Sequence, residues 1–209
     1  HNAIATVPEI FKRGLRPTAL EFVQEDAVTI AEKKSEKKSH FSGGKAYLMI
    51  EINSASEEEL ERMAETIAEI CEQNNCVDVF LAEKKDQQEV WETRGKFYEL
   101  LKEYTIEFLD VVVPPAQIAN HVDQVQRISE KYGMWLPTYG HAGDGNLHTH
   151  VMKARLNGGN VEWLDESEWK ERYPKVRDKI HADALSREGL VSGEHGIGII
   201  KKKYLPLFF

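Results

Sequence analysis

Cysteine is scarce: Cys71 and Cys76 are the two in 209 residues, spaced neither as a CxxC redox pair nor as part of a four-ligand zinc site. A disulfide framework is thereby excluded. The two are expected to be buried free thiols, Cys71 on a helix and Cys76 opening a strand, in a reducing compartment such as the cytoplasm. No apolar run approaches the roughly 20 residues needed to cross a bilayer, and no segment reads as a signal peptide. Positive charge is also short, with 27 Lys and Arg against 35 Asp and Glu and a net charge of −8. That balance offers no general basic face for nucleic-acid phosphates, so no nucleic-acid partner is expected. What the chain has is a 41% apolar fraction, enough for a sizeable core in one large domain or a domain plus part of another. It opens at His1 rather than Met, as a processed product or an excised fragment would.

Strand and helix patterns alternate along the first two thirds. Arg16–Phe22 reads as a strand after a break at Gly14. A helix begins near Glu25 and passes into a lysine and glutamate run expected to be solvated. Ala46–Ile52 reads as an inner strand. Ser56 and Glu59 form a capping box for a helix reaching Asn74, with Leu60, Met63, Ala64, Ile67 and Cys71 on one face. Val77–Ala82 follows as a strand and Asp86–Tyr104 as a helix. The next strand is stopped by Pro114 and Pro115, before a helix carrying Ile118, Val122, Val125 and Ile128. The expected fold class is α+β: a ferredoxin-like antiparallel sheet with helices packed on one face, its core in residues 39–133. Residues 134–209 are rich in glycine and histidine and are expected to hold the active-site segments, divided by a helix from about Glu168 to Arg187.

The chemistry concentrates in two motifs. In the first, Thr138–Met152, Asp144–Gly145 is a strong two-residue hairpin signal. With that turn, His141 lies opposite His148 and Tyr139 opposite His150, all on one face of the hairpin, close enough for two imidazoles to share a metal ion. An acid is needed as third ligand, and Glu194 in the glycine-flanked second motif, Ser192–Gly198, is the best candidate. The G-x-x-G-x-G within that motif reverses the dinucleotide fingerprint and follows a helix, so a Rossmann reading is rejected. One further residue stands out. Arg94 interrupts the apolar stripe of Val90, Trp91, Phe97, Tyr98 and Leu101, so it either pairs with an acid, for which Asp110 is a candidate, or reaches into a cleft for an anion.

Gly140–His148, Ser192–Gly198 and Tyr204–Leu207, in that order and spacing, resemble the C-terminal domain of FAD-linked oxidases. That group contains the glycolate oxidase FAD-binding subunit, D-lactate dehydrogenases and D-2-hydroxyglutarate dehydrogenase. Weaker matches at Thr18–Phe22, Trp91–Arg94 and Leu109–Pro114 extend the resemblance over residues 1–209. It implies oxidation of a small 2-hydroxy acid, with hydride passing to FAD held by a flavin-binding domain or subunit absent from this chain. By the same resemblance His141, His148 and Glu194 would bind a divalent metal (Zn, Fe(II) or Mn), His195 would be the catalytic base, and Arg94 would clamp the substrate carboxylate. Asn146 is expected at the substrate too, as is His150, which stands where the family often has Asn. Neither a flavin-binding domain nor the usual tail after Phe209 is present, so the 209 residues alone are expected to be inactive. A homodimer, an electron-acceptor partner and peripheral attachment at the inner face of a membrane are compatible with the resemblance. A metal-dependent hydrolase and a non-catalytic small-molecule-binding domain are the alternative readings.

Overall fold

The computed structural model describes residues 2–35, 40–41 and 43–207; part of the lysine and glutamate run lies outside them. The first helix, α1 (Asn2–Lys12), buries Ile4, Val7 and Ile10 at spacings of three, a stripe that holds despite Pro8 within the helix. Strand β1 (Ala19–Gln24) runs directly into α2 (Glu25–Ser35), whose acidic first turn and basic last turn both complement the helix dipole. Next come β2 (Ala46–Glu51), α3 (Glu57–Gln73) and α4 (Lys85–Leu101). Ser56 caps α3 as expected, accepting a bond from the Glu59 amide. Strand β3 (Thr105–Val112) leads through a short turn at Pro115–Gln117 into α5 (Ile118–Tyr132). The remainder is β4 (Thr138–His141), β5 (Asn146–Met152), the hairpin of β6 (Ala154–Asn157) and β7 (Asn160–Trp163), and α6 (Glu166–Ser186).

Five strands form one sheet in the order β2-β1-β4-β5-β3, every neighbouring pair antiparallel. The α+β antiparallel architecture is therefore present. Its two faces differ because alternate residues of each strand point opposite ways. Leu20, Phe22, Leu147, Val111 and, further along, Leu109 and Val151 point to one face, where they pack with side chains of α1, α3, α5 and α6. Val23, Met49, Tyr139 and Met152 point to the other, where α2 and α4 supply Ala27, Val28, Ala31, Phe97 and Leu101. This second helical pair adds to the single layer expected from the sequence. It covers only part of its face, and the uncovered part is where the histidines emerge.

Three expectations need correction. Residues 39–133 are not a self-contained core, because they supply only β2 and β3, while β1, β4 and β5 fill the middle of the sheet. Val77–Ala82 is not a strand: it pairs with no other segment among the described residues, and Val77 and Leu81 are 74% and 70% exposed. Strand-like composition needs a sheet edge to join, and this segment meets none. Cys76, at its start, is consequently exposed rather than buried, while Cys71 is half-buried on α3, both thiols being free. Burial pushes the Cys71 thiol up to about 11. No described helix is long and apolar enough to cross a membrane.

Candidate active site

The site is built on the open face of the sheet. Where that face is left uncovered, β1 contributes Glu21, β3 Phe108 and Asp110, β4 Tyr139 and His141, and β5 Asn146, His148 and His150. The turn between β4 and β5 is not the two-residue hairpin expected. His141 pairs with Asn146 and Tyr139 with His148, so Ala142–Gly145 form a four-residue loop. Neighbouring backbone holds the extra residues: Gly143 N–H donates to Leu20 O and Val113 N–H to Gly145 O. The shift moves each partner by two positions and therefore keeps every side chain on its expected face. The imidazoles of His141 and His148 still meet, with ring centroids 5.2 Å apart.

Arg94, Tyr98, Phe108, Tyr139, His141, His148 and His195 line one cavity of about 540 Å³. Arg94 reaches it from α4, over the ring of Tyr139 at 4.8 Å. Its acid partner is Glu21 and not Asp110: Nε and Nη2 donate to Glu21 Oε2 at 2.9 and 2.6 Å. The other Glu21 oxygen lies 2.6 Å from His141 Nδ1. Burial alone would raise the Glu21 carboxyl, but the His141 hydrogen bond and the Arg94 charge outweigh it and hold it below the ordinary carboxylate range. The same bond raises the pKa of His141 against the opposing effect of burial. His148 shows the reverse: burial, reinforced by the charge of His141, brings it down to about 4, so it is neutral at pH 7.

Asp110 is the residue that sequence reasoning misplaced. Fully buried beneath the second motif, it accepts backbone N–H bonds from Gly193 (3.1 Å), Glu194 (3.1 Å) and His195 (2.9 Å) and a hydroxyl bond from Ser192 (3.2 Å). The ammonium of Lys201, also buried, stands 3.5 Å from the same carboxylate and donates to Ser192 Oγ. Burial pushes the Asp110 carboxyl up, yet the His195 amide, Lys201 and the Ser192 and Asn146 side chains bring it below its ordinary value. One carboxylate thus fixes the loop that presents Glu194 and His195, both of which are exposed. The His195 ring stands edge-on to Phe108 at 5.3 Å and 5.8 Å from the ring of His148.

Two expected substrate contacts lie outside the cavity lining. Asn146 is buried under the loop; a Cβ on Gly193 would come within 2.1 Å of its Nδ2, which is why that position needs glycine. His150 is fully buried behind Tyr139, with Nδ1 2.8 Å from Thr105 Oγ1 and Nε2 3.0 Å from the Tyr139 hydroxyl. Both of its nitrogens are therefore occupied, and burial lowers its pKa to about 3. It buttresses Tyr139 from behind the residues that line the cavity.

Donor atoms of His141, His148 and Glu194 lie within 4.8 Å of one another, and so do those of Asp110, His148 and His195. The first set suits a divalent cation. His141 Nε2 is 3.5 Å from a Glu194 oxygen while Nδ1 is held by Glu21, a common support for a ligating histidine. His148 is neutral at pH 7, and its buried Nδ1, 3.9 Å from Asp110 Oδ1, has no hydrogen-bond partner. The second set does not suit one, because the Asp110 oxygens already accept four N–H and O–H donors and face Lys201.

A family model for the C-terminal domain of FAD linked oxidases matches residues 1–209. The D-lactate dehydrogenase of Archaeoglobus fulgidus is 37% identical over 209 residues, covering 100% of this chain and 43% of that protein. For the D-lactate dehydrogenase of Anaerostipes hadrus the identity is 34%, covering 98% of this chain and 43% of that protein. The glycolate oxidase subunit GlcD of Bacillus subtilis is 30% identical, covering 98% and 42% respectively. The chain thus spans less than half the length of the curated relatives it matches.

Proposed function

Because this chain belongs to the FAD linked oxidase C-terminal domain family, we propose that it forms the substrate side of a flavin-dependent 2-hydroxy-acid dehydrogenase of the D-lactate or glycolate type. The observation that carries the reading is the cavity itself. A chain of net charge −8 places the guanidinium of Arg94 and the imidazoles of His141, His148 and His195 around one opening, which offers an anionic substrate a cation and several N–H donors.

The roles follow from what each group offers. Glu21 takes the side-on N–H pair of Arg94, so the end-on edge remains to hold a substrate carboxylate by two parallel bonds. His195, exposed on its anchored loop, is placed to take the proton of the 2-hydroxyl as hydride leaves C2, giving the 2-oxo acid. Tyr98 and Phe108 supply the apolar wall of the cavity. His141, His148 and Glu194 would hold a divalent cation, which when bound would supply a Lewis acid for the substrate hydroxyl. FAD, held by a flavin-binding domain or subunit outside these residues, would be the hydride acceptor.

The test uses the complete protein that carries this chain, with D-lactate or glycolate and an artificial electron acceptor. His195→Ala is expected to lower kcat by about 10²- to 10⁴-fold, and Arg94→Met to act mainly through KM. An unchanged kcat in His195→Ala would refute the assignment of the base.

A further inference from the structure

Glu21 touches both the anion-binding and the metal-binding parts of the site. Its place is dictated by the fold: β1 and β4 pair Glu21 with His141 in register, which brings their side chains together. The carboxylate is only 8% exposed and makes three short bonds, one to His141 Nδ1 and two to Arg94. We propose that Glu21 is a positioning residue that keeps the His141 proton on Nδ1 and so leaves Nε2 free to bind a cation. The inference rests on the reading of His141 as a ligand.

The argument is one of donors and acceptors. An ionised carboxylate only accepts, so His141 must donate from Nδ1. The lone pair of the neutral ring then lies on Nε2, the atom 3.5 Å from Glu194 Oε1. Glutamine at position 21 would keep the size of the side chain but supply one acceptor oxygen and one NH₂ group. Arg94 can only donate and would take the oxygen. The NH₂ would then face His141 Nδ1, which can receive it only by moving its proton to Nε2, and an Nε2–H cannot ligate. A carboxylate serving merely as a structural ion pair for Arg94 would have no such effect on metal binding.

Zn²⁺ affinity of the complete protein, stripped of metal and titrated against a chromophoric chelator, separates these cases. Glu21→Gln is expected to weaken Zn²⁺ binding by about 10- to 100-fold, and His141→Ala, which removes a ligand, by at least as much. If His141→Ala weakens binding and Glu21→Gln does not, Glu21 is a structural partner only and the inference is overturned. A loss in Glu21→Gln without one in His141→Ala overturns the route through His141. If neither variant changes the affinity, the metal-site reading falls and takes this inference with it. Should Glu21→Gln not fold, ¹⁵N-histidine spectra of the metal-free wild type, recorded at a pH where the spectra show the His141 ring neutral, give the answer directly. A proton on His141 Nδ1 supports the assignment, and one on Nε2 overturns it.

Discussion

At the scale of single residues, Asp110 shows how a buried acid can shape a site without reaching the cavity. Three backbone amides of the second motif and the Lys201 ammonium converge on it. Asp110→Asn would remove the anionic acceptor and leave Lys201 buried and uncompensated. The expected cost is about 3 kcal/mol of stability, read from urea denaturation. Displacement of His195 should lower kcat at least about tenfold, more than KM changes, as for a loss of catalytic geometry. The residue types at the site were legible in the sequence, but their partners were not. Arg94 was visible as a charge on an apolar stripe, yet its acid lies 73 residues earlier, on β1. His150 was conspicuous for its type, and only its burial between Thr105 and Tyr139 shows that it supports the cavity from behind. Sequence gives the chemistry of a side chain, whereas pairing depends on which strands become neighbours.

At the scale of elements, turns and helix ends divide the legible from the illegible. The Asp144–Gly145 signal correctly marked a reversal between two histidine-bearing strands, but the loop has four residues because β1 and the segment after β3 bind its backbone. Gly145 is where that arrangement is most constrained: φ is +85°, and a Cβ there would lie 1.9 Å from Val113 O. Gly145→Ala is therefore expected to destabilise the protein by at least about 2 kcal/mol, through backbone strain plus the clash, as measured by thermal or urea unfolding. Gly158→Ala provides the contrast, since nothing lies within 4 Å of its Cβ position; its cost should be limited to the strain of a positive φ. The tight two-residue hairpin sits there instead, with Gly158–Gly159 joining β6 to β7. Helix α1 contains Pro8, yet Ile4, Val7 and Ile10 carry its buried stripe. The reverse error was Val77–Ala82, whose local pattern suits a strand that the sheet does not accommodate.

At the scale of the whole molecule, burying histidines on both sides of one sheet makes stability depend on pH. His150 and His181 are fully buried, and burial brings them down to about 3 and about 4; His148, nearly buried, comes down to about 4. Below pH 6.5 or so the unfolded chain takes up protons that these rings refuse in the folded state. Stability should therefore fall as pH drops from about 6.5 toward 4, by up to about 1.4 kcal/mol per pH unit for each ring. His141, with its raised pKa, opposes this fall at the upper end of the window, where the folded state holds its proton more firmly than the unfolded chain does, and adds no slope once both states are protonated. Urea midpoints between about pH 4.5 and 7, with a chelator present, check this. His181→Asn should flatten the slope between about pH 6 and 5, above the range where the carboxyls titrate. The sequence alone determined the antiparallel α+β class, the alternation that puts His141 and His148 on one face, and the glycine-rich loop carrying Glu194 and His195. Those features follow from local spacing and residue type. Tertiary structure decided that Glu21 serves both Arg94 and His141, that Asp110 anchors the second motif, and that His150 is sealed behind the cavity. Each of these depends on strands distant in sequence becoming neighbours in the sheet, and that order is set by how the whole chain buries its apolar surface.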